Sequence, residues 1–116
     1  MNPRNDLRER TKNFGLRTIR MFVMLPKTAE ARILGKQVLR SGTSIGANYR
    51  EAYRGRSKPE FISKCGDCLK EIEETAYWLE LLVDSGIVAT NKLAALRQEI
   101  TELNRNFRDD IKRSKE

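Results

Sequence analysis

The sequence predicts an all-α protein that folds as an antiparallel up-down-up-down four-helix bundle, in a single domain over residues 1–116. A chain of this length fits one domain. Apolar residues recur at steps of three and four along four long segments, and no stretch alternates with the period of two typical of strands. Short breaks near Pro26, Pro59 and Gly86 suit antiparallel neighbours. The predicted helices span about residues 5–24, 28–54, 58–85 and 91–113.

The first predicted helix carries an apolar stripe that includes two threonines, Thr11 and Thr18. The other members of the stripe are Leu7, Phe14, Met21, Phe22 and Leu25. Leu16, Ile19 and Val23 lie off this stripe and predict a second face that must be buried. In a chain this small, oligomerisation is a common way to bury such a face.

The second predicted helix begins after Pro26, with Thr28 as its N-cap. Its stripe is small and polar, and consists of Ala31, Leu34, Val38, Ser41, Ile45, Asn48 and Ala52. A glycine inside a helix costs about 1 kcal/mol relative to alanine, so the interior glycines predict close packing against another backbone. We assign this packing, within the chain or between subunits, to Ser41, Gly42, Ser44, Ile45, Gly46 and Asn48. A phosphate-binding loop is the alternative, but the Walker lysine-serine pair and the preceding strand are missing.

The third predicted helix has the clearest start signal in the chain. Ser57 and Glu60 form a capping box, and Pro59 falls in the first turn, where its missing N–H costs little. Gly86 predicts a left-handed C-cap. The stripe of this helix consists of Phe61, Cys65, Cys68, Ile72, Ala76, Leu79 and Val83. A surplus of apolar residues lies off the stripe and again predicts a second buried face: Tyr77, Trp78 and Leu81.

The fourth predicted helix begins after Thr90 or Asn91 and ends in a charged tail. Its stripe consists of Leu93, Leu96, Ile100, Leu103, Phe107 and Ile111.

Cys65 and Cys68 have the CxxC spacing, which we interpret as structural. A thioredoxin-type motif belongs near a strand, and a zinc site needs four ligands, whereas the chain has no other cysteine and no histidine. Both thiols fall on an apolar stripe, where cysteine behaves as a small buried hydrophobe. We therefore expect no metal and no cofactor.

Carboxylates form two rows on the third helix. Asp67, Glu71 and Glu74 share one row, and the other row consists of Glu73, Glu80 and Asp84. A di-iron bundle needs Glu-x-x-His pairs, which this chain lacks. We therefore interpret the rows as a solvated face or as salt-bridge partners, for example of Arg50 and Arg54.

The composition argues against an enzyme and against a membrane protein. The absence of histidine excludes Ser/His/Asp and Cys/His catalysis and histidine-ligated zinc or iron. The longest apolar run, Met21 to Leu25, is far shorter than a membrane span, and the charged N-terminus lacks a signal-peptide core. We expect a cytoplasmic protein.

Charge is unevenly distributed along the chain. Residues 1–56 hold 13 basic and 4 acidic residues, whereas residues 57–116 hold 10 basic and 12 acidic ones, within a net charge of +7. Such polarity indicates a polyanion site, an anionic surface, or pairing of the two halves in an assembly. The planar fork of arginine suits phosphate oxygens. The candidate nucleic-acid-binding residues are Arg10, Arg17, Arg20, Arg32, Lys36, Arg40, Arg50 and Arg54.

Three blocks of the chain resemble a known family: Arg40 to Asn48 (RSGTSIGAN), Ser57 to Phe61 (SKPEF) and Lys70 to Leu82 (KEIEETAYWLELL). The family consists of four-helix-bundle proteins first noted inside intervening sequences of bacterial 23S ribosomal RNA genes. It is related to accessory proteins of diversity-generating retroelements, which bind nucleic acid and a reverse transcriptase. Gly42 stands where an alanine is more usual in the family.

The resemblance implies an antiparallel bundle that assembles into a homopentameric ring, often with a basic channel, and it implies no catalytic activity. It also implies structural or inter-subunit roles for residues Ser41 to Asn48 and for a block of the third helix that consists of Glu71, Glu74, Thr75, Tyr77, Trp78 and Glu80.

The sequence thus predicts a non-enzymatic oligomer that binds the backbone of RNA or DNA electrostatically through its basic surface. The alternative is an interaction scaffold whose basic half docks an acidic protein, with no role for nucleic acid.

Overall fold

The computed structural model describes residues 3–116, with side chains from Asp6 onward, so the first two residues of the predicted domain lie outside the described part. It confirms an all-helical fold: the described residues form four helices and no strand. The helices are α1 (Pro3–Met24), α2 (Ala29–Tyr53), α3 (Lys58–Asp84) and α4 (Thr90–Lys115). Successive helices run antiparallel.

The helix ends follow the local signals in the sequence, with one exception. Thr28 Oγ1 accepts a hydrogen bond from the backbone N–H of Ala31 at 3.3 Å, and Ser57 Oγ accepts one from the N–H of Glu60 at 3.2 Å. Gly86 has φ +81°, the left-handed conformation of a C-cap glycine. The exception is α4, which begins at Thr90 without any side-chain cap.

Glycine and threonine bring α1 and α2 close together. A Cβ atom added to Gly42 would lie 2.6 Å from Cγ2 of Thr18, and one added to Gly46 would lie 3.4 Å from the backbone of Thr11. Both threonines are fully buried, and the hydroxyl of Thr18 donates to the carbonyl of Gly15 at 2.7 Å. The interior glycines of α2 therefore serve close helix packing within one chain.

The core lies along the four stripes that the sequence predicts, and most of their members are buried. Tyr49 is also fully buried, and its ring is nearly perpendicular to the ring of Phe107 at a centroid distance of 5.3 Å. Sequence periodicity did not place Tyr49, Thr75, Leu82 or Asp110 in the core, although all four are buried. Each of the four lies beside a predicted stripe, and a residue in such a position is buried only if the neighbouring helix covers it.

The pair α1 and α4 differs from the other neighbouring helix pairs because its contact is the sparsest. The side chains of α1 that face α4 are long ones, such as Arg10, Arg17 and Met21, instead of glycine or threonine. The two helices are joined near Arg10 and leave a groove toward the other end of the bundle.

Candidate nucleic-acid interface

Arg10 belongs to an ion-pair cluster between α1 and α4. Its guanidinium donates to both carboxylate oxygens of Glu99, from Nη2 at 2.9 Å and from Nε at 3.2 Å. Carboxylate oxygens of Asp6 and Glu102 each lie 3.8 Å from it. The hydrogen bonds with Glu99 raise the pKa of Arg10. The charge of Arg10 is therefore offset inside the chain.

Arg40 is likewise paired with carboxylates of its own chain. Its Nη1 lies 3.6 Å from Oε2 of Glu71, and its Nη2 donates to Glu74. Burial raises the pKa of Glu71, and the neighbouring charge of Glu74 adds to this effect. Trp78 Nε1 donates to Oε1 of Glu74 at 3.4 Å. The fold thus gathers four predicted site residues from two different sets into one contact between α2 and α3.

The remaining six candidate cations make no ion pair within residues 6–116: Arg17, Arg20, Arg32, Lys36, Arg50 and Arg54. All are exposed except Arg17, which is half-buried. They do not form one patch. Arg17 and Arg20 lie beside α4. Arg32 and Lys36 lie on α2, two turns and one turn before Arg40, and Arg50 and Arg54 lie at the end of α2.

Two further cations, Arg8 and Lys12, join Arg50 along a shallow groove of about 340 Å³ between α1 and α2. Sequence reasoning missed both, although their four-residue spacing places them on one face of α1. Arg8 lies over the ring of Tyr53, 5.4 Å from its centroid. The tertiary structure therefore adds a basic patch that neither helix shows by itself.

Residues Ser41 to Asn48 of α2 lie against α1 and α3 of the same chain. Ser41 is buried, and its hydroxyl accepts a hydrogen bond from Oγ1 of Thr75 at 2.7 Å. Ile45 is fully buried, and its carbonyl accepts from Sγ of Cys68 at 3.6 Å. Ser44 and Asn48 are half-buried at the edge of this contact. Residues Ser41 to Asn48 therefore pack helices together within one chain.

Tyr77 differs from the other predicted interface residues because 52% of it is exposed. Its ring packs at an angle on the ring of Trp78, with centroids 5.2 Å apart. An exposed tyrosine held by a neighbouring ring is available for contact with another molecule.

The comparison with known families agrees with this architecture. A family model described as 23S rRNA-intervening sequence protein matches residues 4–108. The chain belongs to this family. A crystal structure of a protein of unknown function from the S23 ribosomal protein family, from Bacteroides thetaiotaomicron, is similar at a TM-score of 0.88 and 35% sequence identity. That match covers 95% of this chain and 98% of the other. No curated protein matches.

The family membership confirms the resemblance drawn from the three sequence blocks. In this family member, the first block forms the contact of α2 with α1 and α3, the second caps α3, and the third holds the carboxylates that pair with Arg40.

The remaining chemistry-bearing side chains of this family member are the two cysteines. Both are fully buried and no disulfide joins them. Burial raises the pKa of the Cys68 thiol, which favours the protonated form of the thiol at neutral pH. In the described part of the chain, no three His, Cys, Asp or Glu side chains come together to hold a metal ion. No helix there is long and apolar enough to cross a membrane.

Proposed function

We propose that the protein is a non-enzymatic cytoplasmic homo-oligomer that binds the backbone of RNA or DNA through its exposed cations. One observation carries this proposal: six of the eight candidate cations have no acidic partner within residues 6–116, so their charge is available to a polyanion. Arg8 and Lys12 add to the patch around Arg50. A net charge of +7 on 116 residues favours nucleic acid as the ligand.

The mechanism is electrostatic. Arginine and lysine side chains bind phosphate oxygens without reading bases, so sequence selectivity is weak. Each phosphate contact releases counterions from the nucleic acid, so affinity falls steeply with salt. The cations lie on several faces of one subunit. In a symmetric assembly each subunit contributes the same cations, so positive charge is concentrated around the assembly.

We propose a ring as the assembly, a homopentamer as in the resemblance noted above. Exposed apolar side chains lie on two separate faces, Met24 beside the groove between α1 and α4, and Tyr77 beside that between α3 and α4. Two different contact faces on one subunit favour head-to-tail association, which closes into a ring if the rotation allows.

Fluorescence anisotropy with labelled RNA and DNA in rising salt tests the binding. If about six phosphates are neutralised per bound unit, affinity should fall about 10³-fold between about 50 and 200 mM salt. No measurable affinity at about 50 mM salt would refute the proposal. A protein partner retained after nuclease treatment would then favour the acidic-partner scaffold.

A charge-matched pair of variants locates the surface. Arg50→Gln combined with Arg54→Gln should weaken binding and reduce the salt slope by about 2, because two phosphate contacts are lost. Lys70→Gln combined with Lys112→Gln removes the same charge from exposed positions outside the candidate set and should leave the slope unchanged. Equal losses in both variants would indicate a net-charge effect without a defined surface.

A further inference from the structure

The groove between α1 and α4, here called the α1–α4 groove, has a volume of about 650 Å³. Its floor is apolar and is formed by Met21, Leu25, Val88 and Leu96. The flexible thioether of methionine adapts readily to a partner surface. Met24, which also lines the groove, is largely exposed, so the groove offers apolar side chains to a partner.

The rim of the α1–α4 groove is basic and unpaired. Arg17 and Arg20 line it from α1, and Lys92 lines it from α4. None of the three makes an ion pair within residues 6–116. Further along the same two helices, Arg10 of α1 is matched by Glu99 of α4. The groove therefore lacks the acidic side chains that join the helices elsewhere.

The surface of α3 carries the complementary pattern. Glu73, Tyr77, Glu80 and Asp84 recur at steps of four, three and four, which places them on one side of the helix, and all four are exposed. We call this set the acidic stripe. Glu73 pairs with Arg108. Within the described residues, Glu80 and Asp84 make no ion pair.

We propose that the α1–α4 groove of one subunit receives the acidic stripe of a second copy of this chain. Tyr77 would lie on the apolar floor, and Glu80 and Asp84 would pair with Arg17 and Arg20. The dimensions agree: Tyr77 to Asp84 spans about 10 Å of helix, and Arg17 to Leu25 spans about 12 Å. Aromatic, methionine and arginine side chains are the residue types enriched at protein interfaces.

The contact joins two different surfaces, so each subunit offers one groove and one stripe and association is head-to-tail. This inference rests on the homo-oligomer in the proposed function. It places Arg17 and Arg20 in the subunit contact and leaves Arg32, Lys36, Arg50 and Arg54 available to nucleic acid. Both partners of the contact lie in this one chain, and their unpaired charges are opposite in sign. A second copy is therefore the occupant that the charges favour.

Charge reversal tests the contact, with mass measured by light scattering after size exclusion. A groove variant carries Arg17→Glu and Arg20→Glu, and a stripe variant carries Glu80→Arg and Asp84→Arg. Each variant alone should fall to the 13.4 kDa monomer, because like charges then face each other. In an equimolar mixture, the groove of each variant meets a stripe of opposite charge on the other variant, so mixed assemblies heavier than the monomer should form. Two alternating variants cannot close a ring of five, so the wild-type mass is the result expected only of the chain with all four changes, in which groove and stripe are again opposite in charge.

Lys112→Glu with Lys115→Glu is the control for the groove variant, an equal reversal at exposed positions away from groove and stripe, and it should keep the wild-type mass. Circular dichroism checks that each variant keeps its helices. If the wild type is oligomeric and the groove and stripe variants keep its mass, the contact is refuted and the oligomer stands. If the groove and stripe variants become monomeric, and the mixture and the four-change chain are monomeric as well, the pairing of groove and stripe is refuted. A monomeric wild type refutes the oligomer itself, whereas RNA affinity is a separate measurement.

Discussion

Substituting Gly42 by alanine tests the close contact between α1 and α2. The new methyl group would lie 2.6 Å from Cγ2 of Thr18 and 3.3 Å from its Cβ. Carbon atoms in ordinary contact are about 3.5–4.0 Å apart, so the new contact is about 1 Å too short. Thr18 is branched at Cβ and fully buried, so it has little freedom to move away.

The structure offers two ways to relieve the clash, and both cost free energy. Moving α1 away from α2 disturbs a packed core, at about 1–3 kcal/mol. Rotating Thr18 breaks its hydrogen bond to the carbonyl of Gly15, which leaves a buried hydroxyl unpaired at a similar cost. Alanine returns about 1 kcal/mol through its higher helix propensity. We therefore expect Gly42→Ala to lower the free energy of unfolding by up to about 2 kcal/mol, and to be about 1–3 kcal/mol less stable than a glycine-to-alanine change that meets no clash.

Urea denaturation followed by circular dichroism measures this effect, at one fixed protein concentration because an oligomer's stability depends on it. Gly66→Ala is the matched control: a Cβ atom there would meet nothing within 4 Å, so the variant should gain about 1 kcal/mol from helix propensity alone. Thr18→Ser removes the clashing Cγ2 atom and keeps the hydroxyl. Added to Gly42→Ala, it should recover at least about 0.5 kcal/mol relative to additivity.

The reasoning fails if Gly42→Ala gains as much stability as Gly66→Ala. That result would show that α1 and α2 are not in close contact at this position. Additive effects of Gly42→Ala and Thr18→Ser would show that the clash lies elsewhere.

Three further predictions concern the paired and buried groups. Arg10→Gln should lower the free energy of unfolding in urea by about 1–3 kcal/mol, because it leaves the carboxylate of Glu99 partly buried without its partner; unchanged stability would contradict this. Because burial raises the pKa of Glu71, the folded chain holds that proton more tightly than the unfolded chain, and ionised Glu71 opposes folding as the pH rises through the raised pKa. Glu71→Gln should therefore exceed the wild type in urea midpoint at pH 7, with an advantage that shrinks as the pH falls toward 4.5; an advantage that grows in acid would refute this. Because burial raises the pKa of the Cys68 thiol, iodoacetamide should alkylate it only in denaturant, and rapid labelling of the native protein, read by mass spectrometry, would show that the thiol is accessible.

The sequence does not predict which of the candidate cations are neutralised by an acidic side chain. Arg32, Lys36 and Arg40 recur at every fourth residue and look alike in the sequence, yet only Arg40 faces the carboxylates of α3. Arg10 and Arg17 likewise share one side of α1, and only Arg10 meets an acid on α4. Helical spacing fixes which residues share a face, but the position of the neighbouring helix along the axis decides which of them is neutralised.

Local signals were sufficient for the fold. Periodicity, the caps at Thr28 and Ser57, and the left-handed glycine at Gly86 act within a few residues, so the sequence by itself determined four helices, their order and their buried stripes. The tertiary structure decided which charges remain available, that Tyr49 is buried while Tyr77 is exposed, and that an apolar groove remains open between α1 and α4. These properties arise between helices distant in the sequence, where burial and charge pairing depend on the facing surface and not on the residue alone.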